Sequence, residues 1–147
     1  MENQGQKRGR LTVTAHIIIE SLEQVGERCE DPTAKVYQRL FAENPEMKPL
    51  FIMDDNDAVK GQMLSHVIDG IVDFVGDRQY SDTLILSEII NHDIIGVPPS
   101  VFSTFFRTVM ETFRDIMGDD WTAEFEQAWA EVLLDMETMI REKAEVA

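Results

Sequence analysis

Apolar residues return every three or four positions through most of this chain, and this period constrains the fold more than any other feature. It is the period of an amphipathic helix, whose buried stripe uses positions i, i+3, i+4 and i+7. No segment shows the strict alternation of a half-buried strand, and there is no internal repeat or low-complexity tract. The sequence therefore predicts an all-α protein of six to eight helices.

The first two helices are delimited by polar residues and a proline. Residues 1–10 are polar and of mixed charge, so we expect a disordered tail followed by a single domain over residues 11–147. The first helix is predicted from Leu11 to about Glu27. Asp31-Pro32 then starts the second helix, with Asp31 as the cap and Pro32 at the first helical position.

The later boundaries follow from the same residue types. The second helix is predicted to stop at Asn44-Pro45, the third to begin near Asp57, the fourth to end near His92, the fifth to open at Pro98-Pro99 and the last to follow Gly118-Asp119-Asp120. A chain of 147 residues forms one ordinary domain with a full hydrophobic core.

The apolar stripes give the expected core. It comprises Ile18, Leu22, Val25, Val36, Leu40, Phe41, Met63, Leu64, Val67, Ile68, Ile71, Val72, Val75, Leu84, Leu86, Ile89, Ile90, Phe102, Phe105, Phe106, Val109, Phe113, Ile116, Met117, Trp121, Phe125, Trp129, Val132, Leu133, Met136 and Ile140. Aromatic and methionine stripes at helical spacing usually pack in a core rather than against a cofactor. Periodicity alone therefore leaves the function open.

Charge and cysteine content exclude several function classes. The formal net charge of −15 would repel nucleic acid and anionic membranes, so we expect neither as a partner. Cys29 is the single cysteine, which excludes an internal disulfide and a cysteine-based zinc site. The polar first ten residues do not form a signal peptide, and the apolar runs are too short to span a membrane. These features favour the cytoplasm.

One of the three histidines has an unusual setting. A lone histidine on a helix is more often a core or surface residue than a ligand, and this is the default for His16 and His66. His92 ends an apolar helix and is followed by the corner Gly96-Val97-Pro98-Pro99. No nucleophile–base pair and no Gly-rich phosphate loop accompanies it, so the case for an enzyme is weak.

Three stretches of the chain resemble globins. The run from Val36 to Phe51, a helix that passes into a proline-started turn ending on Leu-Phe, resembles the B helix, C helix and CD corner of bacterial globins and flavohaemoglobins. His92 followed by Gly96-Val97 is similar to the proximal histidine and FG corner of neuroglobin and bacterial globins. The stretch from Gly118 through Trp129 resembles the GH corner and early H helix. Together these cover roughly residues 35–140.

The resemblance implies a globin fold packed around a haem pocket, with His92 as the proximal iron ligand. Phe51 would pack on the porphyrin, while Val97 and Phe102 would line the proximal and rear walls. Tyr37 stands where bacterial globins often carry a tyrosine that donates a hydrogen bond to the bound gas. Its alternative role is that of a core tyrosine bonded to a backbone carbonyl. The haem would be b-type and non-covalent, because no Cys-x-x-Cys-His motif is present.

The resemblance leaves the distal position open between Val59 and Lys60, with Met63 or Leu64 over the iron. Neither choice gives the distal histidine or glutamine of the relatives. Lys60 could reach a haem propionate, bind the iron once deprotonated, or be solvated.

A second departure concerns the turn before His92, where globins usually place a leucine under the porphyrin. Here that position is Glu88. A carboxylate buried there would need a partner or protonation. The alternative is a rotated helix that puts Ile89 under the porphyrin and Glu88 in water.

The resemblance thus implies a haem-binding globin that reversibly binds a diatomic gas, O2 or NO. It would serve in oxygen binding or transport, in nitric oxide removal, or in gas sensing through a signalling partner. The globin region accounts for the whole chain, so nitric oxide removal would require a separate reductase. The alternative is a haem-free globin-fold sensor or protein-interaction module.

Overall fold

The protein is all-α, as its hydrophobic period predicts. A computed structural model describes residues 4–54 and 56–146, and within these ranges it contains helices and no strands. The α-helices are α1 (Gln4–Arg28), α2 (Thr33–Glu43), α3 (Ala58–Val75), α4 (Ser81–Ile94), α5 (Pro99–Met117) and α6 (Ala123–Val146). Two 3-10 segments, Pro45–Phe51 and Gly118–Asp120, follow α2 and α5.

The N-terminal end differs in extent from the sequence prediction. Helix α1 begins at Gln4, inside the stretch 1–10 for which a disordered tail is expected. Residues 1–3 lie outside the described residues. None of the helices within the described ranges is both long and apolar enough to cross a membrane.

The start of α2 is stabilised by Asp31, as predicted, although the helix begins one residue later than expected. The Asp31 carboxylate accepts hydrogen bonds from the backbone N–H of Thr33 at 3.0 Å and from its hydroxyl at 2.6 Å. These bonds favour the ionised form, so the pKa of Asp31 lies below its ordinary value. Helical hydrogen bonding begins at the Pro32 carbonyl, which accepts from the Val36 N–H.

The centre of the core lies where α5 and α6 pack together and meet α1. The ring of Phe113 packs edge-on against Trp129, with centroids 6.2 Å apart. Trp129 is completely buried, and its indole N–H donates to the Ser21 hydroxyl at 2.9 Å. The Ser21 hydroxyl in turn donates to the Ile18 carbonyl at 2.6 Å. This chain of bonds satisfies the buried polar groups between α6 and α1.

The predicted core is largely confirmed, and the exception lies on α4. Ile90, expected inside, is 42% exposed, whereas Ile85 is 3% exposed and belongs to the core. Helix α4 carries apolar residues on several faces, so the period does not select one of them. The buried pair Ile85 and Ile89 shows the actual inward face, because residues four apart lie above one another on a helix.

Candidate functional site

A cavity of about 290 Å3 lies beside the core. Its walls come from α2, the Pro45–Phe51 segment, the loop before α3, and α3, α4 and α5. Most of the lining is apolar, and the polar side chains on it are Asp54, His66, Glu88 and His92. A concave apolar site with a few polar groups is the usual form of a ligand-binding site.

His92 lies on this cavity with one ring nitrogen already committed. Its Nδ1 is 2.7 Å from the Glu88 carbonyl oxygen. A carbonyl can only accept, so Nδ1 carries the proton and donates. In the neutral ring Nε2 then keeps its lone pair, which is the form that binds a metal.

The corner after α4 fixes the last turn around His92. The carbonyl of His92 accepts hydrogen bonds from the N–H of Val97 at 2.8 Å and of Ile95 at 3.2 Å. Gly96 has a φ of 93°, a conformation that side chains with a Cβ rarely adopt. The turn brings Val97, which is buried, onto the cavity wall. Phe102 lines the next part of the wall, with its ring centroid 5.1 Å from that of His92.

Glu88 also lines the cavity, one helical turn before His92. Its carboxylate Oε2 is 3.5 Å from His92 Nδ1, and its side chain is 37% exposed. Ile89 is buried in the core and is not among the cavity-lining residues. The structure thus keeps Glu88 at the site with access to water, a position between the two alternatives that the sequence leaves open.

Phe51 also lines the cavity, and Tyr37 packs against it from outside the lining. The Tyr37 ring packs against Phe51 and Phe105, with centroids 5.3 and 5.5 Å away. Tyr37 is 2% exposed and is not itself a lining residue. Burial, and secondarily the charge of Asp54, raises the pKa of its phenol. Within the described residues its hydroxyl has no hydrogen-bond partner, so the backbone carbonyl expected for a core tyrosine is not found.

Helix α3 presents Val59, Met63 and His66 to the cavity, together with Val67 and Gly70. Leu64 faces the core instead and is buried there. Lys60 is not among the lining residues either. Its ammonium lies 2.9 Å from the Asp57 carboxylate, 3.5 Å from that of Asp54 and 5.4 Å from the centre of the Phe51 ring. Of the two distal candidates, Val59 is the one on the cavity wall.

Asp54 holds the first turn of α3 against the cavity. Its carboxylate accepts from the backbone N–H of Val59 at 3.0 Å and of Lys60 at 3.1 Å, and its side chain is only 4% exposed. Burial alone would raise the pKa of Asp54, but these two N–H donors and the Lys60 ammonium hold it below its ordinary value. Sequence reasoning missed Asp54, although an acidic residue shortly before a helix start is a capping signal.

Comparison with known proteins decides the family. The globin family model matches residues 34–140 of the chain. The chain belongs to the globin family. It is also 24% identical over 119 residues to a flavohemoprotein of Rhizobium meliloti (strain 1021), a match that covers 74% of this chain and 29% of the relative. No solved structure matches it significantly.

Six of the residues to which the resemblance gives a role at the haem lie on one cavity: Phe51, Val59, Met63, His92, Val97 and Phe102. Three others do not line it. Tyr37 is one layer behind, Leu64 is in the core, and Lys60 is paired with two carboxylates. Asp54, His66 and Glu88 are the other polar residues of the lining.

The cap on α3 gives a pH-dependent prediction. The pKa of Asp54 is lower in the folded protein than in the unfolded chain, so the carboxylate stabilises the fold above about pH 4 and this stabilisation is lost as the pH falls through the lowered pKa. We expect Asp54→Asn to lower the free energy of unfolding near pH 7, with a difference from wild type that shrinks below about pH 4. Urea unfolding followed by circular dichroism across this range measures it.

Asp57→Asn is the matched control. Asp57 also pairs with Lys60, but its side chain accepts no backbone N–H among the described residues, and asparagine tolerates its φ of 60°. It should therefore lose much less stability than Asp54→Asn. An equal loss in both variants, or a loss that persists at the lowest pH, would contradict the capping role.

Proposed function

We propose that this globin binds b-type haem non-covalently in the cavity, through His92 Nε2, and that the loaded protein reversibly binds O2 or NO. The observation that carries the proposal is the hydrogen bond from His92 Nδ1 to the Glu88 carbonyl on an otherwise apolar wall. It orients the ring and leaves a lone pair at the cavity. Haem held by one histidine supplies an open iron position where a diatomic gas can bind.

The residues present fit this group. Leu50, Met53, Val59 and Ile95 line the cavity and are exposed, so the apolar rim is incompletely covered by the protein itself. A flat apolar ligand would cover it, and burial of apolar surface favours binding by about 25 cal/mol per Å2. Glu88 is reached by water, so its charge needs no buried counter-ion.

Each side chain on the cavity then has a role that follows from its chemistry. Phe102 restricts the rotation of the imidazole, since the two ring centroids are 5.1 Å apart. Phe51, Met63 and Val97 add apolar surface to the wall. Val59 excludes water from the distal side better than a polar residue would.

Lys60 is held away from the iron position in this proposal. The hydrogen bond to Asp57 raises the pKa of its ammonium despite the opposing effect of burial, and the charges of Asp57 and Asp54 act in the same direction. A protonated amine has no lone pair to donate to a metal. Lys60 therefore remains paired with Asp54 and Asp57 beside the cavity. Leu64 packs in the core on the same helix.

The proposal covers oxygen binding, nitric oxide removal with a separate reductase, and gas sensing through a signalling partner, because all three require the same site. The match to a flavohemoprotein supports the haem assignment at the level of the family. The alternative, a haem-free globin-fold sensor or protein-interaction module, predicts that the purified protein takes up no haemin.

The proximal ligand is tested by replacing His92. Purified protein reconstituted with haemin should show a Soret band that His92→Ala abolishes or strongly shifts, because the variant lacks the nitrogen that holds the iron. Absorption spectra before and after removal of unbound haemin measure this. In His92→Gly, added imidazole should restore the wild-type band by filling the vacated space.

His66→Ala is the control, since His66 lies on the same cavity but on the opposing helix α3. It should keep the wild-type spectrum. If the wild-type spectrum survives in His92→Ala and is lost in His66→Ala, His92 is not the iron ligand. A wild-type protein that takes up no haemin would favour the haem-free alternative.

Tyr37 gives a second prediction. If its unpartnered hydroxyl donates to the bound gas, that bond contributes about 1.5–3 kcal/mol, and Tyr37→Phe should release oxygen roughly ten- to a hundredfold faster. The substitution should not weaken the haem-free protein, because it removes a buried hydroxyl that has no partner in the described residues. Flash photolysis or stopped-flow measurement of the off-rate tests this.

Tyr80→Phe is the matched control, because Tyr80 is exposed, does not line the cavity, and already donates its hydroxyl hydrogen to the Asp69 carbonyl. Its off-rate should equal that of wild type. If Tyr37→Phe also equals wild type, Tyr37 is a packing residue only.

A further inference from the structure

Two groups of Glu88 converge on the same nitrogen of His92. The backbone carbonyl of Glu88 accepts the Nδ1 hydrogen at 2.7 Å, and its carboxylate Oε2 lies 3.5 Å from that nitrogen. The helical spacing of four residues produces both contacts, since it stacks the two side chains on one face of α4. The carbonyl fixes the tautomer, and the carboxylate adds a negative charge behind the ring.

This charge is not neutralised by a neighbouring cation. Among the described residues, no lysine or arginine forms an ion pair with Glu88, and its only recorded partner is His92. The side chain is 37% exposed, and its Oε2 lies 3.5 Å from the ring nitrogen. Arginines elsewhere in the protein pair with other carboxylates, for example Arg39 with Glu111 and Arg107 with Glu137.

We propose that the Glu88 carboxylate is a positioning residue for His92, which makes Nε2 a stronger electron donor and favours the ferric over the ferrous iron. A negative charge 3.5 Å from Nδ1 favours positive charge on the ring and so makes Nε2 a stronger donor, while the Nδ1 hydrogen stays on the backbone carbonyl. A more basic ligand stabilises the more highly charged metal. This inference rests on the proposed function, because it concerns the same nitrogen.

Glu88→Gln isolates the carboxylate. Glutamine keeps the length of the side chain, and the backbone carbonyl that accepts the Nδ1 hydrogen remains in place. Asp93→Asn is the control, since it removes one negative charge next to His92 in sequence from a side chain that is exposed and makes no recorded contact with the ring. Far-UV circular dichroism confirms that each variant is folded.

The measurements are the iron–histidine stretching frequency of the ferrous protein by resonance Raman spectroscopy and the ferric/ferrous midpoint potential. In Glu88→Gln the stretching frequency should fall and the midpoint potential should rise, while Asp93→Asn stays close to wild type in both. A merely structural role for Glu88 would leave both quantities unchanged in a folded, haem-loaded variant.

Three results overturn the inference, and they distinguish the role of the carboxylate from the proposed function. A haem-loaded Glu88→Gln with the wild-type frequency and potential, or an equal shift in Asp93→Asn, overturns the role of the carboxylate alone. A wild-type protein without a Soret band overturns the proposed function and this inference together.

Discussion

Helix α5 has to satisfy two requirements at once, and the rest of the structure depends on how it does so. Its second half packs Val109 and Phe113 into the core against α6. Its first half turns Phe102, Phe105 and Phe106 toward the cavity. Because both halves belong to one rigid helix, the packing that stabilises the fold also sets the position of the cavity wall. A ligand site built this way is formed by the same burial that folds the protein.

The imidazole of His92 is positioned by local geometry rather than by a long-range contact. A helix places the carbonyl of residue i−4 beneath the side chain of residue i, so the last turn of α4 itself supplies the acceptor for Nδ1. The corner at Gly96 then ends the helix and directs the chain into α5, which closes the wall with Phe102. The ligand face of the histidine follows from where the helix ends.

The helices and most of the core follow from the sequence, because the apolar period and the residues at the helix ends leave strong local signals. The rotation of α3 was harder to foresee. Apolar residues cover several of its faces, so the period alone does not tell whether Met63 or Leu64 faces the cavity, and tertiary packing decides in favour of Met63. The same ambiguity produced the error at Ile90 on α4.

Polar residues of the site were missed for a different reason. Asp54 acts through backbone N–H groups five and six residues later, a loop geometry that has no periodic signature. Its pairing with Lys60 depends on that same loop, so the sequence could not show that the lysine is paired with carboxylates and does not line the cavity. The distance between Glu88 and His92 was implied by their spacing of four, yet the sequence did not show how much of Glu88 water would reach.

The role of His92 is tested most directly by locating the iron by anomalous scattering in crystals of the haem-loaded protein. We expect one iron inside the cavity, at bonding distance from His92 Nε2, with His92 Nδ1 still donating to the Glu88 carbonyl. An iron bound instead by His66 or Lys60, or crystals of reconstituted protein with no iron in the cavity, would contradict it.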